Sequence, residues 1–352
     1  MYVRNCWYVA AWTHELKGDE FISRTLLNQA ILLYRTANGE PVGLEDRCCH
    51  RFAPLSKGRR EGDQVRCMYH GMRYDRNGVC NDILGQNLIP PKARVRAFPV
   101  VERHSWIWVW MGEPARADEK LIPPAVGLDD PRYTLRGGQM DYRAHYLLIN
   151  DNLTDFSHLS YVHANSFKAG ENWAREHSST TRISRGIRVH RWIEADPTQT
   201  SAVSAVDRAF DGWMTYDFLA PGILLMYNAN FPPGSAKQAN FGPPPPELRA
   251  LGDNFTSQAV TPLGDRASRY FYSWGPNAGE GSDAVAEEML QVANMAFGED
   301  REIIEAQQDV IDRNPPTPQV LTSHDKGPSL MRRVLEDLAA EEQAAPAAQN
   351  VA

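Results

Sequence analysis

Two short stretches decide the fold, RCCHRFAPL at residues 47–55 and CMYHG at residues 67–71. The first contains a Cys-x-His pair and the second a Cys-x-x-His pair. Each stretch follows a strand-like run within the first hundred residues, where Asn-Gly turn signals separate short segments of β-forming residues. The sequence therefore predicts a small β-sandwich or barrel that carries a metal centre with two cysteine and two histidine ligands.

The four side chains suit a Rieske [2Fe-2S] cluster, in which two thiolates bind one iron and two imidazoles bind the other. Two alternatives remain open at this point, a zinc site or four residues that only share a core. Zinc sites usually pair Cys with Cys and His with His around a helix, whereas Cys and His alternate here. The spacing favours the cluster, with Cys48, His50, Cys67 and His70 as ligands.

A second group of metal-binding residue types lies about a hundred positions downstream, in DNLTDFSHLSYVH at residues 151–163. Iron that activates oxygen is commonly held by two histidines and one carboxylate, which leaves positions open for oxygen and substrate. His158 and His163 are five residues apart, so the predicted helix must end or distort between them to bring both rings together. Asp155 is expected to share the helical face of His158.

The carboxylate of this second group is predicted to be Asp300. Residues 282–313 show the strongest helical periodicity of the chain, and Asp300 falls on the apolar stripe of that helix. A carboxylate there loses hydration unless it is paired or bound to a metal. A histidine pair alone is more often structural, and a salt bridge of Asp300 is the simpler alternative. Because the Cys and His loops are also present, the pattern favours iron bound by His158, His163 and Asp300.

Composition and charge limit the partners of this chain. The 352 residues are 42% hydrophobic and 10% aromatic, as in folded proteins, and the length favours two domains. A net charge of -7 argues against nucleic acid or an anionic membrane as the main partner. We find no membrane-spanning run and no signal peptide, and five cysteines do not suit a disulfide scaffold, so a cytoplasmic location is expected.

The predicted elements indicate an α+β protein with two domains. An all-β domain covers residues 1–115, a proline-rich and charged linker covers 116–132, a second domain covers 133–338, and a flexible tail covers 339–352. In the second domain we expect helices over 142–160 and 282–313 and an irregular loop at the prolines of 242–246. The strands are expected at 106–110 in the first domain and at 186–193, 214–219, 223–227 and 268–274 in the second.

Residues 47–55 and 67–71 resemble the cluster loops of Rieske non-haem iron oxygenases, and residues 150–163 and 299–301 resemble the iron-binding segments of that family. The resemblance covers most of the chain. It implies an N-terminal all-β Rieske [2Fe-2S] domain and a C-terminal helix-grip domain, an antiparallel sheet with helices, that binds a mononuclear Fe(II). The sequence departs from the common pattern at Cys49, where Pro is usual, and at Phe52, where Gly is usual.

The resemblance also implies a role for each matching residue. The cluster ligands are again Cys48, His50, Cys67 and His70, and the iron ligands are His158, His163 and Asp300. Asp155 corresponds to the acid that links His158 to the cluster histidine of a neighbouring subunit, here expected to be His70. Asn152 corresponds to a residue close to the iron that is not normally a full ligand.

Residues 4–12, 99–103 and 108–112 are most similar to the vanillate O-demethylase and toluenesulfonate methyl-monooxygenase group. This implies a homotrimeric terminal oxygenase that uses O2 to hydroxylate a methyl or methoxy group of a small aromatic acid. NADH would supply electrons through a separate reductase or ferredoxin, since this chain shows no GxGxxG nucleotide-binding fingerprint. By position, the substrate-pocket candidates are Asn228, Asn230, Gln258 and Gln291.

Three alternative functions remain open on the sequence alone. A ring-hydroxylating dioxygenase, or a hydroxylase of another compact substrate, would use the same iron ligands. A Rieske electron carrier would need neither His163 nor Asp300, and a zinc-stabilised binding module would need no iron at all. The ligands do not specify the natural substrate, because the pocket walls select it.

Overall fold

The computed structural model describes residues 1–18, 20–167, 170–175, 178–195, 209–279 and 283–344. The chain divides into two compact units. The N-terminal unit contains Tyr2–Ile122 and is rejoined by Thr261–Asp265, and the C-terminal unit contains the rest. The division after Ile122 lies inside the segment 116–132 that we predicted as a linker, whereas the return of Thr261–Asp265 was not expected from the sequence.

Short strands build the N-terminal unit. They are β1 (Trp7–Trp12), β2 (Ile22–Leu26), β3 (Gln29–Arg35), β4 (Pro41–Glu45), β5 (Arg59–Glu61), β6 (Gln64–Arg66), β7 (Arg73–Tyr74), β8 (Cys80–Asp82), β9 (Ala97–Phe98), β10 (Val100–Arg103) and β11 (Trp106–Trp110). They form three sheets, ordered β1-β11-β10, β2-β3-β4-β9 and β5-β6-β7-β8. The predicted all-β character of this part of the chain is confirmed.

Aromatic side chains fill the core of this unit. Every residue of β1 and β11 is buried, and Trp7 lies opposite Trp110 with their rings edge to face at 5.5 Å. The predicted buried strand at 106–110 is therefore confirmed. The Asn-Gly turn signal at residues 38–39 is confirmed too, because β3 and β4 pair antiparallel and Gly39 adopts φ 83° in the turn between them.

The C-terminal unit is one large antiparallel sheet covered by helices. Its strands are β12 (Arg136–Tyr142), β13 (Ser179–Ile183), β14 (Gly186–Ile193), β15 (Asp211–Leu219), β16 (Ile223–Phe231), β17 (Gly252–Gly264) and β18 (Ala267–Pro276), in the order β12-β18-β17-β16-β15-β14-β13. Its helices are α1 (Tyr146–Thr154), α2 (Leu159–Val162), α3 (Asn172–Arg175), α4 (Ser235–Gln238), α5 (Asp283–Arg313) and α6 (Lys326–Ala344). The last residues of β17 belong to the N-terminal unit.

The long helix α5 packs on the end of the sheet formed by β12 and β18. Phe297 of α5 stacks edge to face on Tyr270 and Tyr272, and its carbonyl accepts a hydrogen bond from Tyr142 at 2.9 Å. The helix is described from Asp283, since the predicted start, Ser282, lies outside the described residues, and it ends at Arg313 as predicted. The apolar stripe seen in the sequence is the face that α5 buries.

The structure corrects two of the predicted elements. The expected helix over 142–160 is shorter and broken, because Tyr142 ends β12, α1 ends at Thr154 and Asp155 is extended with φ -132° and ψ 106°. The tail expected to be flexible from residue 339 is helical through Ala344, and Ala339 is only 5% exposed. Alanine and glutamate favour a helix, and packing of one helical face stabilises it. The composition of the tail does not reveal that its helix is packed in this way. Residues 345–352 lie outside the described part.

The remaining predicted elements agree with the structure. The expected strands at 186–193, 214–219, 223–227 and 268–274 all lie within observed strands, and the proline run 242–246 contains neither helix nor strand. Within the described residues, no helix is both long enough and apolar enough to span a bilayer.

Candidate metal centres

His158, His163 and Asp300 meet in the C-terminal unit. One ligand atom from each residue lies within 4.8 Å of the other two. The Nε2 atoms of the two histidines both face Asp300 Oδ1, at 3.5 Å from His158 and 3.3 Å from His163. Asp300 is 4% exposed, and a carboxylate buried to this extent requires a compensating cation or donor. The arrangement matches a site for one metal ion with two imidazoles and one carboxylate.

A break in the helix brings the two histidines together. After the extended residue Asp155, the chain makes a 3-10 turn over Phe156–His158 and then the short helix α2, which is followed directly by His163. The two rings lie 5.2 Å apart between centroids. The expectation that regular helix could not present both rings is confirmed, since α2 ends at Val162 and His163 already leaves the helical conformation.

The tautomer of each histidine is set by a hydrogen bond from its other ring nitrogen. His158 Nδ1 lies 2.5 Å from the carbonyl oxygen of Asp155, and His163 Nδ1 lies 3.0 Å from Glu299 Oε2. Because both partners are acceptors, each Nδ1 carries the proton and each Nε2 offers a lone pair. Two lone pairs then face one carboxylate oxygen, an arrangement that a cation stabilises and that is repulsive without one.

Burial and charge move the pKa values of the two histidines in opposite directions. Burial lowers the pKa of His158. Burial also lowers the pKa of His163, but hydrogen bonds and charges from Asp300 and Glu299 outweigh it, so the net direction is upward. Without a metal, His163 therefore holds a proton more readily than His158, and a bound cation would displace that proton.

Asp155 contacts His158 in a different way from the one that its spacing predicted. Since its backbone is extended, it shares no helical face with His158, and that expectation is wrong. It contacts His158 through its carbonyl oxygen, while its carboxylate accepts a hydrogen bond from Ser157 N at 2.8 Å and caps the 3-10 turn. Asn152 does lie at the site, since its Nδ2 donates to Asp300 Oδ1 at 2.9 Å and lies 3.3 Å from His158 Nε2.

Sequence reasoning missed Glu299 and Ser166. Glu299 Oε2 accepts hydrogen bonds from His163 Nδ1 and from Ser166 Oγ, the latter at 2.6 Å. A carboxylate in this position orients an imidazole and raises its basicity toward a metal. The acidic pair formed by Glu299 and Asp300 on a buried helix face was the available signal, but its meaning depends on the fold of residues 158–166.

The cluster candidates meet in the N-terminal unit. The loop of Cys48 follows β4 and the loop of Cys67 follows β6. Both sulfurs are buried, both imidazoles are exposed, and the rings of His50 and His70 lie 4.6 Å apart between centroids. Buried thiols on one side and paired imidazoles on the other fit a cluster with one cysteine-bound iron and one histidine-bound iron.

The two loops have the same backbone geometry. Cys48 N donates to the Ala53 carbonyl and its own carbonyl accepts from Phe52 N, both at 2.9 Å. Cys67 repeats this pattern with Met72 and Gly71. The fifth residue of each loop is left-handed, with φ 61° at Phe52 and φ 75° at Gly71. Glycine is the usual residue for this conformation, so Phe52 carries a strain that the Arg47 guanidinium, 3.9 Å above its ring, partly offsets.

The surroundings of Cys67 and Cys48 suit a pair of ligand thiolates. Burial raises the pKa of the Cys67 thiol, as does its contact with Cys48, whereas the backbone N–H groups of Tyr69 and His70 lower it. Donors aimed at a sulfur stabilise the thiolate that binds iron. Tyr74, which sequence reasoning also missed, lies fully buried with its hydroxyl 3.1 Å from Cys48 Sγ.

The four substrate-pocket candidates do not all lie in the same part of the C-terminal unit. Asn228, Asn230 and Gln258 lie on one face of the sheet, because Leu224 pairs with Gln258 and the three strand positions 224, 228 and 230 point the same way. Gln258 is buried and accepts a hydrogen bond from Tyr270, a strand residue that packs on α5. Asn228 donates to Asn254 at 3.1 Å, whereas Gln291 is exposed on α5.

Comparison with known proteins agrees with this architecture. Residues 6–99 match the Rieske [2Fe-2S] domain, and residues 142–341 match the vanillate O-demethylase oxygenase C-terminal domain. The chain is 37% identical to the toluene-4-sulfonate monooxygenase system iron-sulfur subunit of Comamonas testosteroni, over 96% of this chain and 97% of that protein. It is 30% identical to the vanillate O-demethylase oxygenase subunit of Pseudomonas sp. strain HR199, over 99% and 98%.

Solved structures of other proteins share the fold of this chain. The crystal structure of dicamba monooxygenase bound to 3,6-dichlorosalicylic acid aligns with a TM-score of 0.86 at 28% identity and covers 98% of this chain and 99% of that one. The fold of this chain is thus shared with a solved monooxygenase. The chain belongs to the family of Rieske non-haem iron monooxygenases, as an oxygenase component with a Rieske [2Fe-2S] domain and a vanillate O-demethylase-type catalytic domain.

Proposed function

We propose that this protein hydroxylates a methyl or methoxy group of an aromatic acid with O2 and electrons from a separate reductase. The convergence of His158 Nε2, His163 Nε2 and Asp300 Oδ1 on one point carries this proposal. A Rieske electron carrier does not require such a second metal site. For a methoxy substrate, R–O–CH3 with O2, two electrons and two protons gives R–O–CH2OH and water. The hemiacetal then breaks down to R–OH and formaldehyde.

The protein residues have distinct roles in this proposal. Cys48, Cys67, His50 and His70 hold the [2Fe-2S] cluster, which stores one electron at a time. His158, His163 and Asp300 hold the Fe(II), which supplies oxygen activation when bound. Asn152 holds the Asp300 carboxylate in place through its 2.9 Å hydrogen bond, and Glu299 holds the ring of His163.

We propose further that the protein works as a homotrimer in which the cluster of one copy serves the iron of the next. The surface beside the exposed cluster histidines supports this, because Phe52, Met68 and Tyr69 are 60%, 55% and 59% exposed there. Apolar side chains around an exposed redox group suit docking onto another protein surface. Within this scheme, Asp155 couples His158 to His70 of the neighbouring copy, and its carbonyl provides the contact to His158.

Light scattering on the purified protein tests the assembly, with a mass of about three times the 39.6 kDa chain expected. Replacing Tyr69 and Met68 by Ser should yield monomers that retain the cluster spectrum but lose turnover. Since none of the five cysteines forms a disulfide and the electron donor is a reductase, the cytoplasm is the proposed location.

The substrate is proposed to be a compact aromatic acid, as it is for the toluenesulfonate and vanillate enzymes to which the chain is similar. Asn228 and Asn230 are the proposed polar contacts to this substrate. Gln258 and Gln291 are proposed as secondary contacts. The side-chain oxygen of Gln258 already accepts a hydrogen bond from Tyr270, and Gln291 is exposed.

A product panel tests the function directly. The protein, a reductase, NADH and O2 are incubated with methoxy-, methyl- and sulfonated benzoates, and products are identified by mass spectrometry. Formaldehyde from a methoxy substrate or a benzyl alcohol from a methyl substrate is the expected result. A cis-dihydrodiol would instead show ring dihydroxylation, and a cluster that is reduced and reoxidised without any product would show an electron carrier.

A further inference from the structure

The hydroxyl of Tyr74 lies among three sulfur atoms in the N-terminal unit. It is 3.1 Å from Cys48 Sγ, 3.2 Å from Cys49 Sγ and 3.7 Å from Met72 Sδ, and the tyrosine side chain is fully buried. A phenol has a single proton to donate, so only one of these sulfurs receives it at a time. The identity of that sulfur decides how the tyrosine acts on the cluster.

The chemistry of the three sulfurs ranks them as acceptors. Cys48, as a cluster ligand, is a thiolate without a proton, and hydrogen bonds to ionised acceptors are about twice as strong as those between neutral groups. Met72 is a thioether and only a weak acceptor. Cys49 is not among the predicted ligands, and a thiol offers a weak donor and a weak acceptor. The Tyr74 hydroxyl therefore donates to Cys48, and the lone pairs of its oxygen remain available to the Cys49 thiol.

We infer that Cys49 raises the reduction potential of the cluster through Tyr74, by a relay in which the Cys49 S–H donates to the Tyr74 oxygen and the Tyr74 O–H donates to Cys48 Sγ. This inference rests on the proposed ligation of the cluster by Cys48. Consecutive hydrogen bonds polarise one another, so the thiol strengthens the bond that the phenol makes to the ligand sulfur. Donors to a ligand sulfur stabilise the reduced, more negative cluster and so raise its potential.

The position of Cys49 makes this a property of this chain in particular. Proline is the usual residue at that position in the family that the loop resembles, and a proline side chain has no donor to offer the tyrosine oxygen. Cys49 is half-buried and lies against the same core as Tyr74, so its thiol is held near the hydroxyl by packing as well. Cys80, the other non-ligand cysteine of this core, contacts the Asp82 carbonyl instead.

A double-mutant cycle on the assembled protein tests the relay. The cluster potential is measured by spectroelectrochemistry for the parent protein, Cys49→Ala, Tyr74→Phe and the double variant. Cys49→Ala is expected to lower the cluster reduction equilibrium constant about two- to fivefold, or about 18 to 41 mV at 59 mV per tenfold. Tyr74→Phe is expected to lower it further, and the double variant should match Tyr74→Phe, because the thiol acts only through the phenol.

The matched control is Cys49→Ser, whose hydroxyl still donates and should keep the equilibrium constant within about twofold of the parent. A higher potential in Cys49→Ala would show that the thiol competes for the tyrosine proton, and it would overturn the relay. Additive effects of the two substitutions, or equal losses in Cys49→Ser and Cys49→Ala, would also overturn it. Iron and sulfide counts separate this from a failure of the ligand assignment, which would appear as cluster retention in Cys48→Ala.

Discussion

The two metal centres of this protein are built in opposite ways. The cluster loops are local, since each spans six residues from its cysteine to the residue that accepts the cysteine N–H, and each is closed by its own backbone hydrogen bonds. The iron site is assembled from distant parts, because Asn152 and Asp300 are 148 positions apart and yet share a 2.9 Å hydrogen bond. A local site can be identified from its motif alone, whereas an assembled site depends on the packing of α1 and α5.

The electrostatics differ in the same way. The proposed cluster ligands include two exposed histidines, through which electrons could pass at the protein surface. The proposed iron ligands are largely buried and are held by surrounding hydrogen bonds: Asn152 donates to Asp300, and Asp155 and Glu299 accept from the two histidines. Substitutions among these hydrogen-bonding residues should therefore affect the iron site while the cluster remains intact, and the cluster spectrum is the internal control for them.

Asp300→Ala should give the largest effect. Removal of the carboxylate leaves two neutral imidazoles, which bind Fe(II) weakly, so product formation should fall more than about 100-fold. The cluster absorbance and its reduction by the reductase should not change. If Asp300→Ala turned over at the parent rate, the assigned iron site would be wrong. Asp312→Ala, on the same helix and far from the site in sequence, is the matched control.

Glu299→Gln should weaken the binding of iron about 10- to 100-fold, because an amide orients His163 without the charge that raises its basicity. Equilibrium dialysis of the metal-free protein against Fe(II) gives the affinity. Ser166→Ala removes the other hydrogen bond to Glu299 and should cost less. An unchanged affinity in Glu299→Gln would show that the contact with His163 is only structural.

The affinity for Fe(II) should rise with pH. His163 has a raised pKa in the metal-free site, and iron must displace its proton, so binding is weakened below that pKa and strengthens as the pH approaches it. One displaced proton gives a slope of up to about tenfold in affinity per pH unit, which titrations at several pH values measure. The usual pKa range of histidine is about 5 to 7. An Fe(II) affinity that did not change across this range would contradict the raised pKa of His163.

The smallest effect, on the free energy of unfolding, is expected from substitutions of the left-handed residue in each cluster loop, Gly71 and Phe52. Gly71→Ala places a side chain at φ 75° and should lower the free energy of unfolding by about 1–2 kcal/mol. Phe52→Gly relieves the same strain at φ 61° but removes the contact with Arg47, so the net change should lie within about 1 kcal/mol of zero. Denaturant unfolding of both variants measures the difference. Equal losses would show that the left-handed conformation is not what distinguishes the loops.

The same contrast explains what the sequence could and could not predict. The cluster ligands could be proposed from the sequence because Cys and His alternate at short spacing, and α5 could be predicted because its apolar residues recur at helical spacing. The carbonyl contact from Asp155 was not readable, since it depends on an extended residue inside a segment with helical spacing. Tyr74 and Glu299 were missed because their roles depend on which side chains the fold places beside them.

The return of Thr261–Asp265 to the N-terminal unit was also outside the reach of sequence reasoning. β17 is a continuous strand from Gly252 to Gly264, and nothing in its composition marks where it passes from one unit to the other. Hydrogen bonds hold the end of β17 in the N-terminal unit, since Thr261 Oγ1 donates to the Val9 carbonyl at 2.7 Å and the Pro262 carbonyl accepts from Leu27 N.

The central claim is that one chain holds two iron centres of different kinds, and metal counting with EPR on anaerobically purified protein tests it most directly. We expect about three irons and about two acid-labile sulfides per chain, with the reduced sample showing a Rieske-type signal. Asp300→Ala should lose about one iron and no sulfide. A parent protein without labile sulfide, or with the same iron count before and after Asp300→Ala, would contradict the account.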